Sequence, residues 1–138
     1  MKNLALTLCI TLLLAACSSG SSVSEIPPNI SGLYRGDFES SNERDAGTMI
    51  LNLAQDEAGV VEGTIQFEFS ETDLTCLRNG TITGNVNGFA VRLEAETDAG
   101  GMTFQLTSTD TSLSGTYVTQ GGECSNFSGS GSIVLTRS

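Results

Sequence analysis

The sequence predicts an all-β fold: an antiparallel meander that closes into a small barrel of about eight strands. From residue 30 onward, apolar and polar residues alternate in short runs, the pattern of half-buried strands. No stretch shows the i, i+3, i+4, i+7 spacing of an amphipathic helix over a useful length. Turn-prone pairs such as Asn87-Gly88 separate the runs, so each strand is expected to turn straight back onto the next.

Eight main runs show this alternation, and a ninth short one surrounds residues 74–77. The residues that share the apolar faces are, in chain order, Tyr34, Gly36 and Phe38; Met49, Leu51 and Leu53; Val61, Gly63, Ile65, Phe67 and Phe69; Ile82, Gly84 and Val86; Phe89, Val91, Leu93 and Ala95; Met102, Phe104 and Leu106; Leu113, Gly115 and Tyr117; Ile133 and Leu135. Eight strands can close into a small barrel, and closure removes exposed sheet edges.

Small residues on the apolar faces indicate a tightly coiled barrel. Gly63, Gly84 and Gly115 fall on these faces, where glycine weakens a strand unless the sheet bends sharply or packs closely. The six aromatic residues expected to point inward either fill the core, which we favour, or line a cavity for one small ligand. They are Phe38, Phe67, Phe69, Phe89, Phe104 and Tyr117.

Several segments of residues 30–138 resemble the lipocalin- and avidin-like up-and-down barrels. These segments are Gly32-Leu33-Tyr34-Arg35-Gly36, Leu51-Asn52-Leu53-Ala54-Gln55, Leu113-Ser114-Gly115-Thr116-Tyr117 and the closing Gly131-Ser132-Ile133-Val134-Leu135-Thr136-Arg137. The resemblance implies a barrel that binds a partner or a small apolar ligand. The chain has no Trp, which lipocalins usually carry in the opening strand and avidins use to line the biotin site, so biotin binding is not implied.

The first residues are predicted to form a secretion signal. Lys2 precedes an apolar run, Leu4 to Leu14, that is shorter than the roughly 20 residues of a membrane-spanning helix. The following Leu14-Ala15-Ala16-Cys17 resembles the lipobox of bacterial lipoproteins. That resemblance implies that residues 1–16 are removed, that Cys17 is acylated, and that the mature chain is anchored in a lipid bilayer. Ser18 resembles the residue that follows the cysteine in outer-membrane lipoproteins. This resemblance implies an anchor in the outer membrane, with the domain on the periplasmic or surface side of that membrane.

The mature chain then divides into two parts. Residues 17–29 are the lipidated cysteine and a flexible, Ser-rich tether that ends in Pro27-Pro28. Residues 30–138 are the β-barrel domain. Once Cys9 leaves with the signal and Cys17 takes lipid, Cys76 and Cys124 remain, and an even pair in an exported chain predicts a disulfide.

Composition excludes several function classes. After removal of the signal, five Arg and no Lys stand against sixteen acidic residues, a net charge of −11, so no basic stripe for nucleic acid exists. The absence of His excludes Ser-His-Asp and Cys-His catalysis and the usual zinc ligands. We predict no catalytic residue, metal or cofactor, and hence that the protein is not an enzyme.

The paired carboxylates are expected to be solvated rather than catalytic. Asp37, Glu39, Glu94 and Glu96 fall on polar strand faces, and Asp56-Glu57 falls in a turn; exposed carboxylates make poor general acids at neutral pH. A less favoured alternative is a Ca²⁺ site, formed if the loops with Glu43, Asp45, Asp56 and Glu57 meet at one barrel end.

Binding is therefore expected to come from loops at the barrel ends. The candidate residues are Arg44 and Asp45 in the first long connection, and Glu123, Asn126 and Phe127 near the end of the chain. The acidic charge favours a basic envelope or host protein and a salt-sensitive association, as for the small barrel lipoproteins that inhibit lysozyme. The alternative is a lipocalin-like carrier of a small apolar ligand.

Overall fold

The computed structural model describes residues 28–39, 46–69, 79–97, 100–120 and 129–138. All regular elements in these ranges are strands: β1 (Gly32–Glu39), β2 (Ala46–Gln55), β3 (Val60–Phe69), β4 (Gly80–Asn87), β5 (Ala90–Thr97), β6 (Gly100–Ser108), β7 (Ser112–Gln120) and β8 (Ser130–Arg137). Each strand pairs antiparallel with the next, and β1 pairs with β8. The predicted eight-stranded closed meander is confirmed.

Alternation along the strands separates the core from the surface, as the apolar periodicity predicts. Twenty buried hydrophobic side chains form one cluster inside the barrel, and Phe67 packs against it while partly exposed. The outward positions between them are mostly polar. The interior is therefore occupied by side chains from all eight strands, together with Ile30 from the segment that precedes β1.

Glycines on the inner face bring neighbouring strands into close backbone contact. A Cβ atom added to Gly36 would lie 2.0 Å from the carbonyl oxygen of Val134, and one added to Gly84 would lie 2.0 Å from that of Arg92. The corresponding distances for Gly63 and Gly115 are 2.1 Å. No other residue type fits at these positions without a backbone shift, which is the close packing predicted from Gly63, Gly84 and Gly115.

The prediction that Phe89 points inward is wrong. The turn between β4 and β5 consists of Gly88 and Phe89, since Asn87 pairs directly with Ala90. Gly88 has a φ of 57°, the left-handed conformation that glycine adopts without strain. The turn thus lies one residue later than the predicted Asn87-Gly88, and the side chain of Phe89 is 52% exposed.

The two ends of the barrel differ. At one, called here the short-turn end, residues 56–59, 88–89 and 109–111 connect the strands, and the chain enters β1 and leaves β8. At the other, called the long-connection end, the strand ends are joined by segments 40–45, 70–79, 98–99 and 121–129. An up-and-down meander forces this division, because successive connections alternate between the ends.

The strands lean relative to the barrel axis. A row of paired residues starts at Leu33, next to the short-turn end of β1, and reaches Gly101, next to the long-connection end of β6, by way of Asn52, Thr64, Thr81 and Glu96. From β1 towards β8, the residues of each paired row therefore lie progressively closer to the long-connection end. This stagger accompanies the strand tilt of about 35–45° that closed barrels require.

Candidate functional site

Backbone hydrogen bonds from strands to turns fasten the short-turn end. In three of them, a carbonyl in one turn accepts an N–H from the second strand after that turn, and in the fourth the residue after β8 donates to β1. They run from Val86 N to Gly59 O (2.8 Å), from Ser108 N to Phe89 O (2.8 Å), from Arg137 N to Thr111 O (2.8 Å) and from Ser138 N to Leu33 O (2.9 Å). Backbone groups at this end are thus engaged with one another around the barrel.

The segment that leads into β1 is held at the same end. Ile30 is completely buried, and its backbone N–H donates to Oε1 of Gln55 at 2.9 Å. The N–H of Gln55 donates in turn to Oγ of Ser31 at 2.9 Å. Because Ile30 belongs to the barrel core, the position at which the chain enters the domain is set.

A buried tyrosine and a half-buried arginine complete the short-turn end. Tyr34 is fully buried on β1, and Nε of Arg137 on β8 donates to its hydroxyl oxygen at 2.9 Å. The guanidinium carbon lies 5.1 Å from the centre of the Tyr34 ring, within the range of a cation–π contact. A second guanidinium nitrogen donates to the carbonyl of Asn29 at 2.7 Å. Arg137 thus joins the first strand, the last strand and the incoming chain.

Sequence reasoning missed Arg137. The alternation along β8 would have revealed Arg137, because Arg137 shares the inward face of that strand with Ile133 and Leu135. A cation in register with buried apolar residues needs a partner inside or at the rim of the barrel.

Aromatic side chains gather toward the long-connection end. Phe38 makes edge-to-face contacts with Phe67 (centroids 5.9 Å apart) and Tyr117 (6.5 Å), and Phe104 lies 6.4 Å from Tyr117 at a tilted angle. The Tyr117 hydroxyl donates to the carbonyl of Glu39 at 3.0 Å. These four side chains form an aromatic cluster beneath the strand ends from which the long connections depart.

The predicted site residues lie outside the described residues. This holds for Cys17, Cys76, Cys124, Arg44, Asp45, Glu123, Asn126, Phe127, and for the aromatic side chain of Phe69. The strands on either side of them are described, however. Residues 40–45 join β1 to β2, and residues 121–128 lie between β7 and β8, so both candidate binding segments start and finish at the long-connection end.

The same topology argues against the calcium alternative. Asp56 and Glu57 belong to the turn at the short-turn end, whereas the segment with Glu43 and Asp45 joins strands at the opposite end. Oδ1 of Asp56 already accepts the N–H groups of Ala58 (2.9 Å) and Val60 (2.8 Å). Within the described ranges, no three His, Cys, Asp or Glu side chains are placed to hold a metal ion.

The other paired carboxylates lie where their periodicity predicts. Asp37, Glu39, Glu94 and Glu96 are exposed on the outer surface of the barrel. One ion pair is present among the side chains that the structure describes: Arg35 and Glu68 approach to 2.6 Å, with both side chains more than half exposed. These groups form a solvated surface and do not converge on an enclosed pocket.

The class of protein defined by this geometry is an eight-stranded antiparallel β-barrel with one fastened end and one end of longer connections. No protein-family model, curated protein or solved structure matches the chain. In the part of the chain that the structure describes, no helix has the length and apolar character to span a membrane.

Proposed function

We propose that the protein is a membrane-anchored envelope lipoprotein that acts as a non-catalytic binding module. The lipobox-like Leu14-Ala15-Ala16-Cys17 supports the anchor, and Ser18 supports an outer-membrane location. The closed barrel supports the likeness to lipocalin- and avidin-like proteins at the level of architecture. In this proposal, the segments at the long-connection end contact the partner.

The observation that carries the proposal is the separation of the two barrel ends. The chain reaches the domain at the short-turn end, where Ile30 is buried. A flexible tether of about a dozen residues has an end-to-end distance of roughly 20 Å. An acylated Cys17 therefore keeps the short-turn end near the leaflet, while the candidate binding segments join strands at the opposite end, where a partner can reach them.

The charge of the domain favours a basic protein as the partner. The described surface has nine acidic side chains and three Arg, one of which is paired with Glu68. An acidic body raises the local concentration of a cationic partner, and salt screens this attraction over about 8 Å at physiological ionic strength. Such a partner is an envelope protein or a host protein, and inhibition of a basic enzyme is one form of this function.

Association with envelope extract at low and at high salt tests the proposal. The full-length protein in detergent should retain a basic protein at low salt and release it at high salt. The double change Asp45→Asn with Glu123→Gln should weaken retention. The matched control, Glu57→Gln with Asp110→Asn, removes the same charge from exposed residues at the short-turn end and should leave retention nearly unchanged.

Two results would overturn the proposal. If both double variants weaken binding equally, the long-connection end is not the binding surface. If nothing binds at low salt and native mass spectrometry finds one apolar molecule per chain, the protein is a carrier, and the aromatic cluster below the long connections becomes the first region to examine for its ligand.

A further inference from the structure

The turn between β4 and β5, at the short-turn end, presents an aromatic side chain to solvent. Of the aromatic side chains that the structure describes, that of Phe89 is the most exposed, at 52%. The backbone beneath it is fixed, because the carbonyl of Phe89 accepts the N–H of Ser108 at 2.8 Å and its hydroxyl at 3.2 Å. Nothing lies within 4 Å of a Cβ atom built on Gly88. The turn therefore holds an apolar group in a set position beside open space.

Charge distinguishes this turn from the other two turns at the same end. Residues 80–91, which include β4 and the turn, contain no charged residue. In contrast, turn 56–59 contains two carboxylates and turn 109–111 contains one. Charged groups are costly to remove from water, whereas an exposed aromatic ring gains free energy when it leaves water. The β4–β5 turn is therefore the one of the three that is suited to an apolar environment.

We propose that Phe89 inserts into the surface of the bilayer that holds the lipid anchor, an inference that rests on the proposed lipoprotein. The chain enters the barrel at the same end, through the buried Ile30. The dozen residues between Cys17 and Ile30 span roughly 20 Å as a random coil. The end with Phe89 is therefore held within reach of the leaflet, where aromatic side chains are favoured at the boundary between headgroups and acyl chains.

The barrel geometry lets Phe89 reach the lipid ahead of the acidic turns. In an eight-stranded barrel with this stagger, turns 56–59 and 109–111 lie about a quarter of the circumference away from the β4–β5 turn, one on each side. A tilt of the barrel axis by about 30° towards β4 and β5 lowers Phe89 and leaves both acidic turns a few Å farther from the bilayer. The chain enters on the far side of the barrel, and the length of the tether permits this tilt.

The first charged residue beyond the turn is basic. Arg92 is exposed on the outer face of β5, three residues after Phe89. Within the described part of the chain it forms no ion pair, since the pair found there joins Arg35 and Glu68. When Phe89 is inserted, Arg92 lies just above it on the tilted side, and its long side chain can place the guanidinium among the lipid phosphates. An aromatic ring with a cation above it is a typical arrangement of side chains at a membrane surface.

Insertion of Phe89 orients the domain rather than attaching it. One aromatic side chain binds a bilayer weakly, but the anchor makes the contact intramolecular and raises its effective concentration. Two or three acyl chains already give a durable attachment. Loss of Phe89 should therefore change the orientation of the barrel and leave the amount of membrane-bound protein unchanged. The acidic turns at the same end favour a zwitterionic surface over an anionic one.

Tryptophan fluorescence is the first test, because the chain has no Trp. Full-length lipidated Phe89→Trp is reconstituted into phosphatidylcholine vesicles with and without brominated acyl chains, which quench nearby Trp. Its emission should fall at least about twofold, whereas that of Val118→Trp, 46% exposed near the long-connection end of β7, should not change.

The outcomes separate this contact from the anchor. Quenching at both positions, as in a barrel that lies on its side, or at neither would overturn the insertion of Phe89 while the protein still floats with the vesicles. Protein that does not float with them would refute the anchor and the contact together.

Hydrogen exchange tests the native side chain. In phosphatidylcholine vesicles, the amides of turn 88–89 should be at least about threefold better protected in the wild-type protein than in Phe89→Ser, after correction for intrinsic rates. Protection of turn 109–111 should be equal in the two proteins. Val118→Ser is the matched control, since it removes a similarly exposed apolar side chain elsewhere and should retain the protection at 88–89. Equal protection of turn 88–89 in wild type and Phe89→Ser would overturn the proposal, and unchanged protection of the strands would verify that both are folded.

Discussion

The hydroxyl of Tyr34 on the first strand accepts a hydrogen bond of 2.9 Å from Nε of Arg137 on the last. The two residues are directly paired in the β1–β8 register, at the seam where the meander closes into a barrel. Arg137 also lies against the Tyr34 ring and bonds to the carbonyl of Asn29. One side chain thus stabilises both the closure of the barrel and the attachment of the incoming chain.

Removal of either partner should therefore destabilise the barrel. Tyr34→Phe removes the acceptor of both hydrogen bonds from Arg137 and should lower the free energy of unfolding by about 1–2 kcal/mol. Arg137→Met removes the donor from a buried hydroxyl and should cost about 1–3 kcal/mol. The double variant should cost less than the sum, because the two changes remove one shared interaction. Urea unfolding measures all three values.

Arg92→Met is the matched control for this cycle. Arg92 is an exposed arginine on the outer face of β5, and its replacement should change the free energy of unfolding by less than about 0.5 kcal/mol. Strict additivity of the Tyr34 and Arg137 effects would show that the observed contact contributes no coupling energy.

Close backbone packing at Gly36 gives a second prediction. The Cβ of Gly36→Ala would lie 2.0 Å from the Val134 carbonyl oxygen, so β1 and β8 must separate at the closing seam. We expect a loss of about 1–3 kcal/mol in the free energy of unfolding, measured by urea unfolding.

Gly101→Ala is the control for the glycine prediction. The nearest atom to its new Cβ is 3.7 Å away, an ordinary contact, so the change should be neutral or slightly stabilising. Equal stability of the Gly36→Ala and Gly101→Ala proteins would contradict the close approach of β1 and β8.

Alternation of apolar and polar residues was sufficient to predict the strands, their order and the closed barrel, because in a meander each of these follows from local periodicity and short turns. The prediction that Phe89 points inward was wrong because Asn87-Gly88 and Gly88-Phe89 are both suitable two-residue hairpin turns. Only the strand register shows which of the two forms the turn. The contact between Tyr34 and Arg137 joins residues 103 positions apart, which no local pattern reveals. Side-chain chemistry in the segments between strands, where the candidate binding residues occur, has no periodicity from which a position can be predicted.

A disulfide between Cys76 and Cys124 is the third prediction. The segments with these residues join β3 to β4 and β7 to β8, on opposite sides of the ring but at the same barrel end. The bond would close a loop of about 48 residues and add roughly 4 kcal/mol in the chain-entropy model. The intact mass of the exported protein should rise by two hydrogens on reduction.

Single and double replacements by Ser provide the control for the disulfide. Cys76→Ser, Cys124→Ser and the double variant should lose the same stability, because either single change already breaks the bond. If an alkylating reagent labels both thiols of the unreduced wild-type protein, the residues are not bonded.

Acylation of Cys17 is the last prediction. Lipoprotein processing joins a diacylglyceryl group to the cysteine thiol before cleavage, so Cys17→Ser should abolish both lipid attachment and removal of residues 1–16. Cells grown with an alkyne fatty acid should yield labelled wild-type protein and unlabelled Cys17→Ser protein, and the variant should keep the mass of the uncleaved chain.

Cys76→Ser and Cys124→Ser are matched controls that remove a thiol elsewhere and should retain the label. One acyl chain gives only marginal membrane binding, whereas two or three give a durable anchor, so the wild-type protein should stay with membranes at high salt. Equal labelling of wild type and Cys17→Ser would contradict the anchor, and with it the orientation in which the long-connection end extends away from the bilayer.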